Sequence, residues 1–201
     1  MATQQRSEET YSRILDAAAA SFARNGYERT GVAEICHAAG ISKGAFYYHF
    51  SSKQALFLAL LQRWLDELDA NLAGLLADAP NAPAALTRMI EAFRTVLHTA
   101  DGNLPMFMEF MTAAQRDPVI WAATIQPYRR YQTWLAGLIQ KGIAEGSLRP
   151  VDPQLAAQML VSWAVGMLLQ STLDPQATDW GSAAQASLEL LLTGLLPDAV
   201  A

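Results

Sequence analysis

Apolar residues along this chain recur at steps of three and four, the period of a helix with one buried face, and no long stretch alternates at period two. The pattern predicts an all-α protein of about nine helices, with breakers at the joints. A first helix is expected over about Ser7–Asn25, where Ile14, Leu15, Ala18 and Phe22 share a face and Asn25-Gly26 is a stop signal. Two short helices follow, about Val32–Ala39 ending at Gly40, and Ser42–Phe50 with Ser42 as N-cap. Ser52 offers the next cap, for a long helix reaching about Ala77 with the stripe Leu56, Leu60, Trp64 and Leu68. Further helices are expected over about Pro83–Thr99, after Asn103 to about Arg116, from Pro118 to Glu145, from Pro153 to about Leu173 and over about Thr178–Leu196. Asp117-Pro118 and Asp152-Pro153 each read as a cap followed by a first-turn proline. Asp101-Gly102-Asn103 should break the chain, Gly146 should end the seventh helix, and Pro127 should kink or split it.

Composition narrows the class. With 52% hydrophobic and 16% charged residues over 201 positions, the chain can bury a core and is not disordered. No uninterrupted apolar run reaches the roughly 18 residues of a membrane-spanning helix, and the polar start lacks the apolar stretch of a secretory signal. One cysteine, Cys36, excludes an intramolecular disulfide, and a cytoplasmic protein is the simplest expectation. The net charge of −5 argues mildly against a nucleic-acid partner. Residues 1–53 nevertheless carry a slight basic excess, with Arg6, Arg13, Arg24, Arg29, Lys43 and Lys53 against five acids, while the remainder is acidic.

The informative stretch is residues 31–50, GVAEICHAAGISKGAFYYHF. Two short helices meet at a turn containing Gly40, where a tight reversal favours a residue that tolerates positive φ. Val32, Ile35, Ile41, Phe46 and Phe50 can form a small core with the first helix, which leaves Lys43, Gly44, Ala45, Tyr47, Tyr48 and His49 on the outer face of the third. Lysine suits a phosphate or a guanine edge, Gly44 and Ala45 allow close approach to a groove, and Ala45 suits a thymine methyl. Tyrosine and histidine offer hydrogen bonds to phosphates or bases; one of Tyr47, Tyr48 and His49 can instead pack on the first helix. Lys53, at a helix N-terminus, favours a phosphate. Thr30 can cap the second helix while facing the duplex backbone. The candidate DNA contacts are therefore Thr30, Ser42, Lys43, Gly44, Ala45, Tyr47, Tyr48, His49 and Lys53.

Thr30, Ile35, Ala39-Gly40, Ser42-Lys43-Gly44, Phe46-Tyr47, His49-Phe50 and Lys53 resemble the N-terminal signature of the TetR (tetracycline-repressor-like) family of transcriptional regulators, over residues 10–60. More softly, the Arg116-Asp-Pro118 junction, Gly142–Gly146 followed by Leu148-Arg-Pro150, and Gly166, Gln170 and Asp174-Pro175 resemble a ligand domain common in that family. Cys36 stands where the family more often has alanine. The resemblance implies a three-helix DNA-binding domain at residues 1–53 with its helix-turn-helix at 31–50. It implies a helical ligand-binding and dimerisation domain at 54–201. The expected function is a homodimeric repressor on a palindromic operator in double-stranded DNA, released when a small, largely apolar or aromatic effector shifts the sixth and fourth helices. The alternative is a regulator or activator of the same fold that is ligand-independent or controlled by a protein partner.

For the effector, Trp64, Phe93, Met106, Phe107, Phe110, Tyr128, Tyr131 and Trp163 are the candidate lining residues, since methionine and aromatics suit an adaptable apolar site, although most such residues serve an ordinary core. Glu109, Gln126 and His98 are possible polar anchors. For the dimer, the apolar terminal helices suggest Trp163, Gly166, Met167, Leu188, Leu191, Leu192 and Leu195. No convergent catalytic set is present, so an enzyme is not expected; three histidines and one cysteine form no ligand cluster, and neither a metal nor a cofactor is expected. Cys36 reads as a small packed residue, with an oxidation sensor as the lesser alternative.

Overall fold

The computed structural model describes residues 2–76 and 78–196, with the side chains of residues 2, 3, 75, 76, 92, 95–105 and 107 outside the description. Among the described residues there are eight helices and no strand: α1 (Ala2–Asn25), α2 (Val32–Ala39), α3 (Lys43–His49), α4 (Lys53–Leu76), α5 (Ala82–Ala114), α6 (Pro118–Ala144), α7 (Pro153–Leu173) and α8 (Trp180–Thr193). The expected stop signals work as read at several joints. Gly26, Gly40 and Gly146 all adopt positive φ, at 82°, 63° and 72°. Ser42 and Ser52 cap α3 and α4 by accepting the N–H groups of Ala45 and Ala55, each satisfying an orphan donor of the first turn. Asp117 and Asp152 cap α6 and α7 in the same way.

An expected break at residues 101–103 and an expected split at Pro127 do not occur. Asp101-Gly102-Asn103 lies inside α5, so the segments expected as fifth and sixth helices are one helix of 33 residues. Pro127 lies inside α6, which continues through it to Ala144. Proline removes one backbone donor and crowds the preceding turn, a local penalty that a long, packed helix can absorb.

The chain packs as two compact units. The first comprises Met1–Asp66 and Gly102–Thr124, the second Glu67–Asp101 and Ile125–Ala201, so α4, α5 and α6 contribute residues to both. In the first unit Ile14, Ala18 and Phe22 of α1, Ile35 of α2, Phe46 of α3, and Leu56 and Phe57 of α4 are fully buried. Each isoleucine, leucine and phenylalanine among them is worth about 1.5–3 kcal/mol of burial. Phe57 binds the unit together: its ring meets Phe22 edge-on at 5.5 Å and lies 4.5 Å from Phe110 of α5. The second unit has its own core, in which Leu86 and Ile90 of α5, Leu135 and Ile139 of α6, Ala157 and Leu160 of α7, and Leu188 and Leu192 of α8 meet.

Candidate nucleic-acid interface

The orientation of α3 follows from its inward residues. Phe46 is fully buried and Phe50 nearly so, while Ser42 fixes the first turn and Gly40 the approach from α2. A seven-residue helix has only one apolar side, so locking Phe46 inward turns its other residues out. Tyr47 is 56% exposed and Tyr48 79%, values that decide against the core reading of both rings. Lys43 and Gly44 are exposed beside them and Ala45 is half-buried. A Cβ added to Gly44 would find Ser42 Oγ at 3.7 Å and no closer atom, so the fold itself does not demand glycine there. His49 is the member of the aromatic trio that packs on α1: it is half-buried, with its ring 6.0 Å from Tyr11, which stacks on Phe50 at 4.9 Å.

Thr30 and Lys53 occupy different situations from those expected. The N-cap of α2 is Gly31, and no side chain caps it. Thr30 is 1% exposed, and its hydroxyl donates to the carbonyls of Gly26 at 2.8 Å and Ser21 at 3.3 Å. Its hydroxyl stitches the turn after α1 rather than capping α2 or facing outward. The Lys53 ammonium donates to the carbonyls of Tyr27 at 2.8 Å, Glu28 at 3.3 Å and Thr30 at 3.1 Å, and lies 4.3 Å from the centre of the Tyr27 ring. An ammonium has three donors, and all three are engaged here. Lys53 thus closes the base of the reading head from the first residue of α4.

Two further ties were not visible in the sequence, because their partners lie far apart in it. Glu109 Oε2 accepts the Tyr27 N–H at 2.7 Å, and Gln54 Nε2 donates to Asp117 Oδ2 at 2.5 Å. Cys36 is buried, and that burial pushes its thiol up from the ordinary range, which lowers its thiolate fraction and disfavours the sensor reading.

The candidate effector residues separate. Trp64, Met106 and Phe110 belong to the first unit, where Met106 and Phe110 are buried. Phe93, Tyr128, Tyr131 and Trp163 belong to the second. There Phe93 and Trp163 are brought together at 5.0 Å between ring centres, and the indole N–H of Trp163 donates to Ser187 Oγ at 2.9 Å. The Tyr131 hydroxyl donates to Asp69 Oδ1 at 2.6 Å while Arg130 meets the other carboxylate oxygen at 2.6 Å; Tyr128 is exposed. The side chains of Phe107 and His98 lie outside the described residues. Of the residues suggested for the dimer, Met167, Leu188 and Leu192 are buried within this single chain, Trp163, Gly166, Leu191 and Leu195 half-buried. The face that α7 leaves outward is instead Leu155, Met159, Ser162, Leu169 and Leu173, with Leu190 outward on α8. Among the described residues α7 is the one helix long and apolar enough to cross a membrane, and little of it is buried within the chain.

An all-α chain with an N-terminal helix-turn-helix and a further helical region defines a DNA-binding regulator. Residues 14–60 match the family model of bacterial regulatory proteins of the tetR family, and residues 84–197, more than half of the chain, match that of the BetI-type transcriptional repressor C-terminal domain. The chain belongs to the TetR family of transcriptional regulators. It is 26% identical over 188 residues to the transcriptional regulator UidR of Escherichia coli strain K12, covering 93% of each chain. Its fold is similar to that of a transcriptional regulator from Saccharomonospora viridis solved in complex with choline, at TM-score 0.84 and 21% identity, covering 94% of this chain and 99% of that one. It is also similar to SmeT in a triclosan complex, at TM-score 0.82 and 25% identity, covering 96% of this chain and 94% of the other.

Proposed function

We propose that the chain is a dimeric, effector-responsive repressor that reads an operator with the outer face of α3. The observation that carries this reading is the exposure of Tyr47 and Tyr48 beside Lys43 on a helix whose opposite side is locked into a core. Residues 1–53 form the reading head, and 54–201 serve effector binding and dimerisation. Lys43 neutralises a phosphate or meets a guanine edge, Ser42 and Gly44 let the start of α3 approach the duplex, and Ala45, Tyr47 and Tyr48 face base edges or sugar-phosphate. His49 reaches the duplex only at the rim of its packing on Tyr11. Thr30 and Lys53 act behind the reader, holding it.

The outward stripe of α7 supports a second copy as partner. Leu155, Met159, Ser162, Gly166, Leu169 and Leu173 alternate at steps of four and three, the spacing that keeps one seam on a facing helix. Gly166 has room for a Cβ within its own chain, meeting only Gln170 at 4.0 Å, so its smallness leaves space for a neighbouring backbone. A twofold dimer would offer two α3 helices to major grooves about 34–36 Å apart or a modest variant of that distance. For the effector, the Phe93–Trp163 pair is the core of the site, and a small apolar, aromatic or quaternary-ammonium compound suits an aromatic lining. Choline and triclosan, present in the two similar structures, are the first probes. Release requires that the effector bind the DNA-incompetent state more tightly, since only differential affinity moves the equilibrium.

The test is operator binding by the purified full chain, using a duplex that it selects from a random-sequence pool. Lys43→Ala and Tyr47→Ala are expected to weaken binding at least tenfold while the melting temperature stays within a few degrees. Unchanged binding by both variants would refute the assignment of α3. If no compound in an apolar and aromatic panel lowers affinity, a partner-controlled regulator replaces the effector-released repressor.

A further inference from the structure

The turn Gly26–Thr30 joins α1 to α2, and its backbone polar groups are held from outside by opposite charges. On one side the Lys53 ammonium takes the carbonyls of Tyr27, Glu28 and Thr30. On the other, the half-buried carboxylate of Glu109 takes the Tyr27 N–H at 2.7 Å. The carboxylate lies against the open side of Gly26, whose φ of +82° favours glycine and where an added Cβ would stand 3.5 Å from Glu109 Oε1. Among the described residues no cation pairs with Glu109, so this backbone amide is its partner. The same corner is fixed by the Tyr27 ring, 4.3 Å from Phe57, and by the Gln54–Asp117 bond, which ties the first turn of α4 to the cap of α6.

We propose that Glu109 is a positioning residue for DNA reading: from α5 it fixes the Tyr27 amide, and with it the angle at which α2 and α3 leave α1. This rests on the reading of α3 as the DNA-contacting helix. A bond from an N–H to a carboxylate is short and strong because the acceptor is ionised. Loss of it removes the tie to α5 and leaves the turn held by Lys53, the Tyr27–Phe57 contact and the Thr30 hydroxyl, with more freedom to pivot. The head then folds as before but meets the groove in a broader range of orientations. The affinity for a fixed operator falls, whereas the number of phosphates neutralised does not. Glutamine keeps an oxygen that accepts from the Tyr27 N–H, and leucine keeps the bulk without an acceptor.

The experiment compares the full-length wild type with Glu109→Leu and Glu109→Gln. The first readout is hydrogen exchange at the Tyr27 amide. The second is affinity, across a salt series, for a duplex selected by the wild type from a random-sequence pool. Glu109→Leu is expected to speed exchange at Tyr27 and to lower affinity roughly tenfold at every salt concentration, with the slope of log K against log salt unchanged. Glu109→Gln is expected to stay near the wild type in both. If Glu109→Leu shows no cooperative melt, Glu109→Asp, whose carboxylate stops one methylene short of the amide, takes its place in both measurements. Wild-type affinity in the variant without the acceptor would overturn the positioning role, as would a glutamine variant no better than leucine. Failure of the wild type to select any duplex would overturn the DNA reading beneath it as well, which separates the two failures.

Discussion

Lys43 and Lys53 look alike in the sequence, each a lysine at a helix start in a helix-turn-helix region. What separates them is what their donors already hold: Lys53 gives its three to carbonyls, while Lys43 stands exposed. Sequence shows residue type and position along an element, but not whether a side chain is already spent on a neighbouring turn, so both lysines read as phosphate contacts. The two substitutions should therefore fail differently. Lys43→Ala should reduce the salt slope of operator binding by about 0.9 and leave urea unfolding unchanged. Lys53→Ala should lower unfolding free energy by about 1–2 kcal/mol, discounted for its partial exposure, with the slope intact. Both are read by denaturant titration and by binding at several salt concentrations. Tyr131 offers a separate test at this scale. Burial first, and its bond to Asp69 second, push its hydroxyl up to about 12 from an ordinary 10.0. A pKa raised on folding stabilises the neutral phenol, so this contribution is full below pH 10 and disappears as pH rises through about 12. In a tyrosinate absorbance titration, Tyr131→Phe should remove the latest-titrating component of the wild-type curve.

At the scale of elements, most helix ends were legible because they depend on local chemistry. Gly26, Gly40 and Gly146 end segments through positive φ, and Ser42, Ser52, Asp117 and Asp152 start them through side-chain caps. At Asp101-Gly102-Asn103 and at Pro127 the helix runs on through breaker residues set within otherwise periodic sequence, so periodicity outweighs a single local breaker there. Gly142 shows the limit in the other direction. It reads as one letter in a suggestive helix end, yet an added Cβ would come within 2.6 Å of Leu148 Cδ1 and 2.7 Å of Ala82 Cβ. The start of α5 and the loop after α6 thus approach α6 more closely than any side chain permits. Gly142→Ala should lower stability by about 1–3 kcal/mol, the usual range for overpacking, whereas a Gly137→Ala control, whose Cβ would meet nothing within 4 Å, should raise it by about 0.5–1 kcal/mol. Urea midpoints with unchanged m-values would measure it.

For the whole molecule, the all-helical plan and the helix-turn-helix followed from periodicity and the motif at residues 31–50. The outward face of α7 did not, because α7 is apolar on nearly every side and its pattern alone cannot say which leucines point home. Leu160, Met167 and Leu168 are used internally, and Leu155, Met159, Leu169 and Leu173 are left over. Leu169→Glu should convert the dimer to monomer in sedimentation velocity with its helical content retained, and should weaken operator binding by more than tenfold because one head cannot hold two half-sites; a dimer undisturbed by this change would move the interface elsewhere. The proposed effector site was least legible, since aromatic residues for a pocket and for a core obey the same hydrophobic pattern. The outer face of α3 carries one more implication, for descent rather than for binding. Tyr47 and Tyr48 contribute little to the interior, so replacements there leave folding almost untouched. Copies of such a gene can drift toward new operators without first acquiring spare stability, and the rate at which they do so is set by the DNA they must recognise.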